Sequence, residues 1–377
     1  MKKWLIGLSV GLMALPALAQ DMPTLGDLPV GEWTQIPVEG ARCLYDTEYS
    51  FLVRPASEPT ANLMIYFEGG GACWDGFTCA ARGQFASQYF VDETEPEALR
   101  AGFFDFDNEE NPVRDYNTVF IPYCSGDVHS GSTPAVTLPV PPETGLPVEE
   151  VTVNFTGFEN ASAALAWAFA NYTDPAQVFV TGCSAGGYGA LFHAGNIMQN
   201  YADQRVVLLA DASVGVTPRA WEGLALWNTY ASLPDFIPAF ENVTPERYNT
   251  TFHMRELARA FPENVFAQYT TFLDQVQVAF YALQTGRMVD ASNFAQIGPE
   301  WTRQMLSNIY SLEATARNFA NFMPGGTVHC ITPLDITYTY EVQGVRFVDW
   351  VQRLLDGDAS VSPMCDPGTG ECLVSPQ

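Results

Sequence analysis

The stretch that most constrains this chain is Thr181-Gly182-Cys183-Ser184-Ala185-Gly186-Gly187-Tyr188-Gly189-Ala190. A short apolar run, Gln177-Val178-Phe179-Val180, leads into it, and a helix-like run over 188–198 leads out. Gly182 to Gly186 fits G-x-S-x-G, the nucleophile elbow, whose required context is a strand before and a helix after. A serine hydroxyl is a poor nucleophile unless it stands exposed beside a base. A sharp strand-to-helix turn exposes it, and the turn closes only if the residues two positions either side are small. Ser184 is therefore the candidate nucleophile. The N–H of Ala185, at the start of the following helix, can donate to a developing oxyanion.

Such a turn belongs to an alternation of strands and helices. Buried-strand runs stand at Leu63-Met64-Ile65-Tyr66-Phe67, at 118–122, at 205–210 ending on Asp211, and at 264–269; a strand-like run covers 49–53. Helical patterns cover 158–171, the stretch after Asp274, 301–322 up to the Pro324-Gly325-Gly326 break, and 345–355; a strand-like run covers 336–340. Residues 92–115 read as acidic surface and 132–150 as a Pro- and Thr-rich extended loop. The expected fold class is α/β, an α/β-hydrolase-like, mostly parallel sheet flanked by helices. Residues 213–262, rich in Trp, Phe and Pro, read as a helical or irregular cap insertion. No linker divides the chain, so 20–377 is expected to be a single domain.

The first residues look like a signal peptide. Lys2 and Lys3 precede an apolar run from Trp4 to Leu15, too short to span a bilayer, and Ala17-Leu18-Ala19 fits A-x-A. Residues 1–19 are expected to be removed, leaving a secreted or periplasmic protein with no membrane span. A formal net charge of −26 argues against nucleic acid and anionic membrane as partners.

Eight cysteines in an exported chain are most simply four disulfides. No C-x-x-C pair or histidine cluster supports a metal, and no cofactor is expected. Histidine is scarce: His129, His193, His253 and His329. In this fold the order along the chain is serine, acid, histidine, which leaves His253 and His329 as base. His329, in a loop after a Gly-Gly break, is preferred over His253, which sits in a helical pattern. For the acid, Asp211 and Asp274 both follow a strand, and chemistry alone leaves them even. Cys183 precedes the serine and Cys330 follows the histidine, so a serine–histidine contact would bring the two cysteines into disulfide range. Proximity then pairs Cys73 with Cys79 and Cys365 with Cys372, leaving Cys43 and Cys124.

Two polar loops complete the candidate site. Glu68-Gly69-Gly70-Gly71-Ala72-Cys73-Trp74 follows a strand upstream of the elbow, where a second oxyanion donor is expected, and glycine lets a backbone N–H reach the substrate. Tyr123-Cys124-Ser125-Gly126-Asp127-Val128-His129 also follows a strand, on the side where sheet ligands bind. Trp74, Asp127 and His129 are candidate pocket-lining residues.

The segments at 67–74, 123–127 and 182–187, with the late Asp274/His329 pair, resemble the pectin acetylesterase/Notum family, in order over roughly residues 40–335. That resemblance implies an α/β-hydrolase fold and metal-independent carboxylesterase activity. It implies Ser184 as nucleophile, His329 as base and Asp274, in Asp274-Gln275-Val276-Gln277, as acid. The N–H groups of Gly70, Gly71 and Ala185 would form the oxyanion hole. The expected function is a secreted serine esterase removing short acyl groups, acetyl first, from a polysaccharide such as pectin, acting as a monomer. The alternatives are an esterase for longer or aromatic acyl groups, a peptidase or amidase, and a catalytically silent carbohydrate-binding protein on the same fold.

Overall fold

A computed structural model describes residues 22–81 and 99–374. The expected signal segment, 1–19, lies outside them. The architecture is a sheet of eight strands: β1 (Thr34–Arg42), β2 (Glu48–Arg54), β3 (Asn62–Phe67), β4 (Asn117–Ile121), β7 (Gln177–Cys183), β8 (Arg205–Asp211), β9 (Val265–Tyr269) and β10 (Phe319–Phe322). A separate antiparallel hairpin pairs β5 (Thr133–Pro139) with β6 (Glu150–Phe155). The order across the large sheet is β1-β2-β4-β3-β7-β8-β9-β10. Only β1–β2 and β2–β4 are antiparallel; every pairing from β4 to β10 is parallel. This is the mostly parallel, helix-flanked sheet of the α/β-hydrolase fold.

Continuous apolar strands suit a sheet covered on both faces, and the period-two alternation divides them cleanly. Leu63, Ile65, Phe67, Val178, Val180, Val206 and Leu208 face one core. Met64, Tyr66, Phe179, Val207 and Leu209 face the other. The first core packs against α2 (Gly157–Asn171), α3 (Ala185–Asn200) and α5 (Thr250–Ala260); the second packs against α8 (Phe347–Leu355). Two short helices, α1 (Gly76–Ala80) and α4 (Glu222–Leu226), and the longer α6 (Gln275–Gln284) and α7 (Phe294–Thr315) lie over the ends of the strands or beside them. Among the described residues no helix is long and apolar enough to cross a membrane.

Four local expectations are corrected. The helix expected over 301–322 ends at Thr315, and Phe319–Phe322 is the edge strand β10, all four residues buried. A four-residue apolar run carries no period, so it reads equally as the end of a helix. Residues 335–338 form a 3-10 turn rather than a strand. The stretch 132–150 holds β5 and supplies the first residue of β6. Within 92–115, Phe103, Phe104 and Val113 are core residues despite their acidic neighbours; 92–98 lie outside the described residues.

Candidate active site

The turn between β7 and α3 puts Ser184 at φ 56°, ψ −120°, a backbone conformation costly for any residue but glycine. Three contacts hold it there. Ser184 N–H donates to Asp211 O (2.8 Å), Gly187 N–H donates to Ser184 O (3.0 Å), and Ser213 Oγ donates to the same oxygen (2.7 Å). The glycines are there for space. A Cβ on Gly186 would lie 2.0 Å from Phe67 O, and one on Gly69 would lie 2.3 Å from Cys183 O. The end of β3 therefore lies directly against the elbow. Gly71, at φ +76°, then bends the loop in the left-handed region. Gly71, Ala72, Ser184, Ala185 and His329 line one pocket. Gly70 is buried beside Gly71 and is not part of the lining.

Asp274 follows β9 and caps α6. Its Oδ1 accepts from the N–H groups of Val276 (3.1 Å) and Gln277 (2.9 Å), and its Oδ2 accepts from Gln277 Nε2 (2.9 Å). His329 Nδ1 stands 2.9 Å from both carboxylate oxygens. The loop bearing His329 is tied along this turn: Leu273 N–H donates to Gly326 O, Gln275 N–H to Thr327 O, and Thr271 Oγ1 to Val328 O. His329 Nε2 is buried and makes no hydrogen bond among the described residues. Burial opposes an imidazolium there. The charge and hydrogen bond of Asp274, with a further push from Asp211, outweigh it, so the His329 pKa stands above its ordinary value. The Cys183–Cys330 disulfide joins the residue before the serine to the residue after the histidine. The other bonds are Cys43–Cys124, Cys73–Cys79 and Cys365–Cys372.

Asp211 is placed apart from the Asp274–His329 pair. Its Oδ2 accepts from Ile331 N–H, Thr332 N–H and Thr332 Oγ1, and it makes no hydrogen bond to the imidazole.

Asp127 and His129 do not line the pocket; only Val128 between them does. The Asp127 carboxylate is enclosed, accepting from Ser125 Oγ (2.6 Å), His129 N–H (3.1 Å) and the Gly157 N–H that opens α2 (2.8 Å). The negative charge at that helix start serves the fold. His129 Nε2 meets Glu68 O (2.8 Å), and burial drives its pKa down to about 3. Trp74 packs behind the pocket, its ring centroid 5.1 Å from that of Trp221, a residue that does line it. His193 and His253 are fully buried, the first against His129 O and the second against Tyr248 Oη. Cys183, His329 and Cys330 cluster closely enough to hold a metal, but the two sulfurs are bonded to each other and offer no thiolate.

The pocket opens to solvent at its mouth. Its walls are mainly apolar, with Phe192, Trp221, Leu224, Trp227, Tyr248, Phe280 and Trp301 prominent. Trp221 to Thr250 of this lining come from the 213–262 stretch; Phe280 and Trp301 come from α6 and α7. Sequence reasoning passed over α6 and α7 as walls. The resemblance took in Gln277 through the Asp-x-x-Gln segment but gave it no role; it braces Asp274, and Ser213, which braces the elbow, was passed over. The spacing of Gln277 three residues after an acid was the one available signal.

Comparison with known proteins follows the same lines. The family model described as Pectinacetylesterase matches residues 33–308. The chain is 38% identical over 73 residues to the inactive palmitoleoyl-protein carboxylesterase notum1b of Danio rerio, covering 19% of this chain and 52% of the relative. It is 33% identical over 93 residues to the palmitoleoyl-protein carboxylesterase NOTUM of Schmidtea mediterranea, covering 24% of this chain and 18% of the relative. The matches thus span about half the length of one relative and under a fifth of the other. Two crystal forms of the Wnt deacylase Notum from Drosophila superpose with TM-scores of 0.67 and 0.63 at 17% identity. They cover 90% and 88% of this chain and 97% and 95% of theirs, a likeness of fold.

Proposed function

This chain belongs to the pectinacetylesterase family, and from that premise we propose that it is an exported serine carboxylesterase with Ser184, His329 and Asp274 as its triad. One relative is named inactive, so the site and not the membership carries the proposal of turnover. The observation that carries it is the Asp274–His329 pair: His329 lines the pocket that holds Ser184, and its buried Nε2 has no partner among the described residues. Asp274 holds the proton on Nδ1, which leaves the Nε2 lone pair to take the serine proton as Ser184 Oγ attacks an ester carbonyl. Serine–histidine hydrogen bonds are often long before substrate arrives. The N–H of Ala185, with those of Gly70 and Gly71, would receive the oxyanion. His329 then protonates the leaving alcohol, and water releases the acid from the acyl-enzyme. In this reading residues 20–377 form one domain, and 213–262 are its cap.

The pocket's mainly apolar, aromatic lining favours a long or aromatic acyl chain over acetyl. Acetyl on a polysaccharide such as pectin is the reading that the family's description suggests. A p-nitrophenyl ester series from acetate to palmitate, run with wild type and Ser184→Ala, tests both. Activity lost in the variant supports the nucleophile, and a rate that rises with chain length supports the larger acyl group. No activity on any ester from a folded, oxidised protein would refute the esterase reading.

A further inference from the structure

Asp211 is fully buried, yet the proposed reaction assigns it nothing. It is the last residue of β8, in register with Cys183 on one side and Tyr269 on the other. Its backbone oxygen accepts the Ser184 N–H that fixes the elbow. Its carboxylate Oδ2 takes Ile331 N–H (2.9 Å), Thr332 N–H (2.8 Å) and Thr332 Oγ1 (2.8 Å), the residues directly after His329-Cys330. Cys330 itself sits at φ 64°, a strained turn that needs such anchoring. One residue thus clasps the serine turn with its main chain and the histidine loop with its side chain.

Clasping alone does not call for a carboxylate. All three donors reach the same oxygen, and an asparagine oxygen could accept them. The other oxygen, Oδ1, is buried with no partner among the described residues. A buried charge with one oxygen unsatisfied is expensive, and an amide would avoid much of that cost. The titratable groups facing Asp211 are Tyr66 from β3, Tyr269 from β9 and His329. Both phenols are held far above their ordinary values, first by burial and then by Asp211 itself, with Glu68 also acting on Tyr66 and Asp274 on Tyr269. They stay neutral, so His329 is the group that can answer the charge.

Resting on the triad proposed above, we infer that Asp211 is a positioning residue for the reaction: it anchors the His329 loop, and its charge, behind that of Asp274, stabilises the imidazolium formed when His329 takes the serine proton. Burial lifts the Asp211 pKa to about 6, against the pull of Ile331, Thr332 and His329. Its charge is therefore present at neutral pH and fades as pH falls through about 6.

The test is the pH profile of kcat/KM on a p-nitrophenyl ester for wild type, Asp211→Asn, Thr332→Val and Ser184→Ala. Asn keeps an acceptor and drops the charge. The expected result is KM within about twofold, kcat lowered about tenfold, and the acid limb displaced downward by roughly half to one pH unit. Thr332→Val removes one donor and raises the Asp211 pKa further, so the charge is lost at higher pH and the limb should move upward, opposite to Asp211→Asn. That variant carries the test should Asp211→Asn fail to fold. Wild type active, Ser184→Ala silent and the limb unmoved in every folded variant would overturn the inference and leave the triad standing. A Ser184→Ala protein that still turns over ester would overturn both.

Discussion

Asp274→Asn separates charge from shape at the site. The carboxylate serves four donors, and the amide has one oxygen to offer. That oxygen is needed where Oδ1 now accepts the Val276 and Gln277 N–H groups. Asparagine is as good a helix cap as aspartate, so α6 should keep its start, and the stability loss, about 1–3 kcal/mol, comes from Gln277 Nε2 left facing another donor. The NH2 group then occupies the Oδ2 position, facing Gln277 Nε2 and His329 Nδ1. Gln277 cannot turn its oxygen round freely, because that oxygen accepts the Val214 N–H. The imidazole must answer by presenting an Nδ1 lone pair, which moves its proton to Nε2. In that tautomer it cannot take a proton from Ser184. Loss of the correct tautomer in such triads costs about 10⁴ in kcat, or roughly 5.5 kcal/mol of barrier. The assay is steady-state hydrolysis of a p-nitrophenyl ester beside urea unfolding of the same preparation. A variant within about tenfold of wild type, where Ser184→Ala is silent, would refute the argument and reopen the choice of acid.

Removing the Cys183–Cys330 bond opens a loop spanning 147 residues, and chain entropy puts the loss near 5 kcal/mol as an upper figure. Cys183→Ala/Cys330→Ala should unfold at clearly lower urea and lose kcat more than KM; an unchanged midpoint would contradict this. Gly69→Ala would push a methyl to 2.3 Å from Cys183 O, backbone against backbone, so activity should drop at least about tenfold with a lower melting temperature. Burial drives His129, His193 and His253 down to about 3, 4 and 3, so the folded state refuses protons that the unfolded chain accepts. That stability is complete above about pH 6.5 and is lost as pH falls through about 4 toward 3. Asp127 and Asp211, lifted to about 6 chiefly by burial, act in the opposite sense and soften the loss. Urea midpoints equal at pH 7 and pH 4.5 would refute the balance.

The fold was legible where local signals agreed. Leu63 to Phe67 and 205–210 are apolar, short and bounded by turn residues, and both are central strands. It failed where a signal was too short to carry a period, as at Phe319–Phe322, or where acidic residues surrounded apolar ones, as at Phe103 and Phe104. The site followed the same rule. The elbow announces itself through glycines whose Cβ atoms have no room. Asp127 and His129 misled because a polar loop at a strand end looks alike whether it faces a ligand or closes over its own carboxylate. Asp211 and Asp274 both follow strands, and what distinguishes their contacts is which donors the distant histidine loop brings to each. That is tertiary information, absent from either neighbourhood.

The disulfides also set a timetable. A chain made from its N-terminus presents Cys43, then Cys73 and Cys79, before Cys124, yet Cys43 must wait for Cys124 while the inner pair closes within its loop. Cys183 must then stay reduced while 147 further residues are added, roughly 7–30 s at ordinary synthesis rates. Oxidation faster than that would join neighbours in order of appearance and trap the wrong thiols. The bond beside Ser184 can close only after the strands through β10 have been made, so the candidate site is among the last parts of the molecule to be completed.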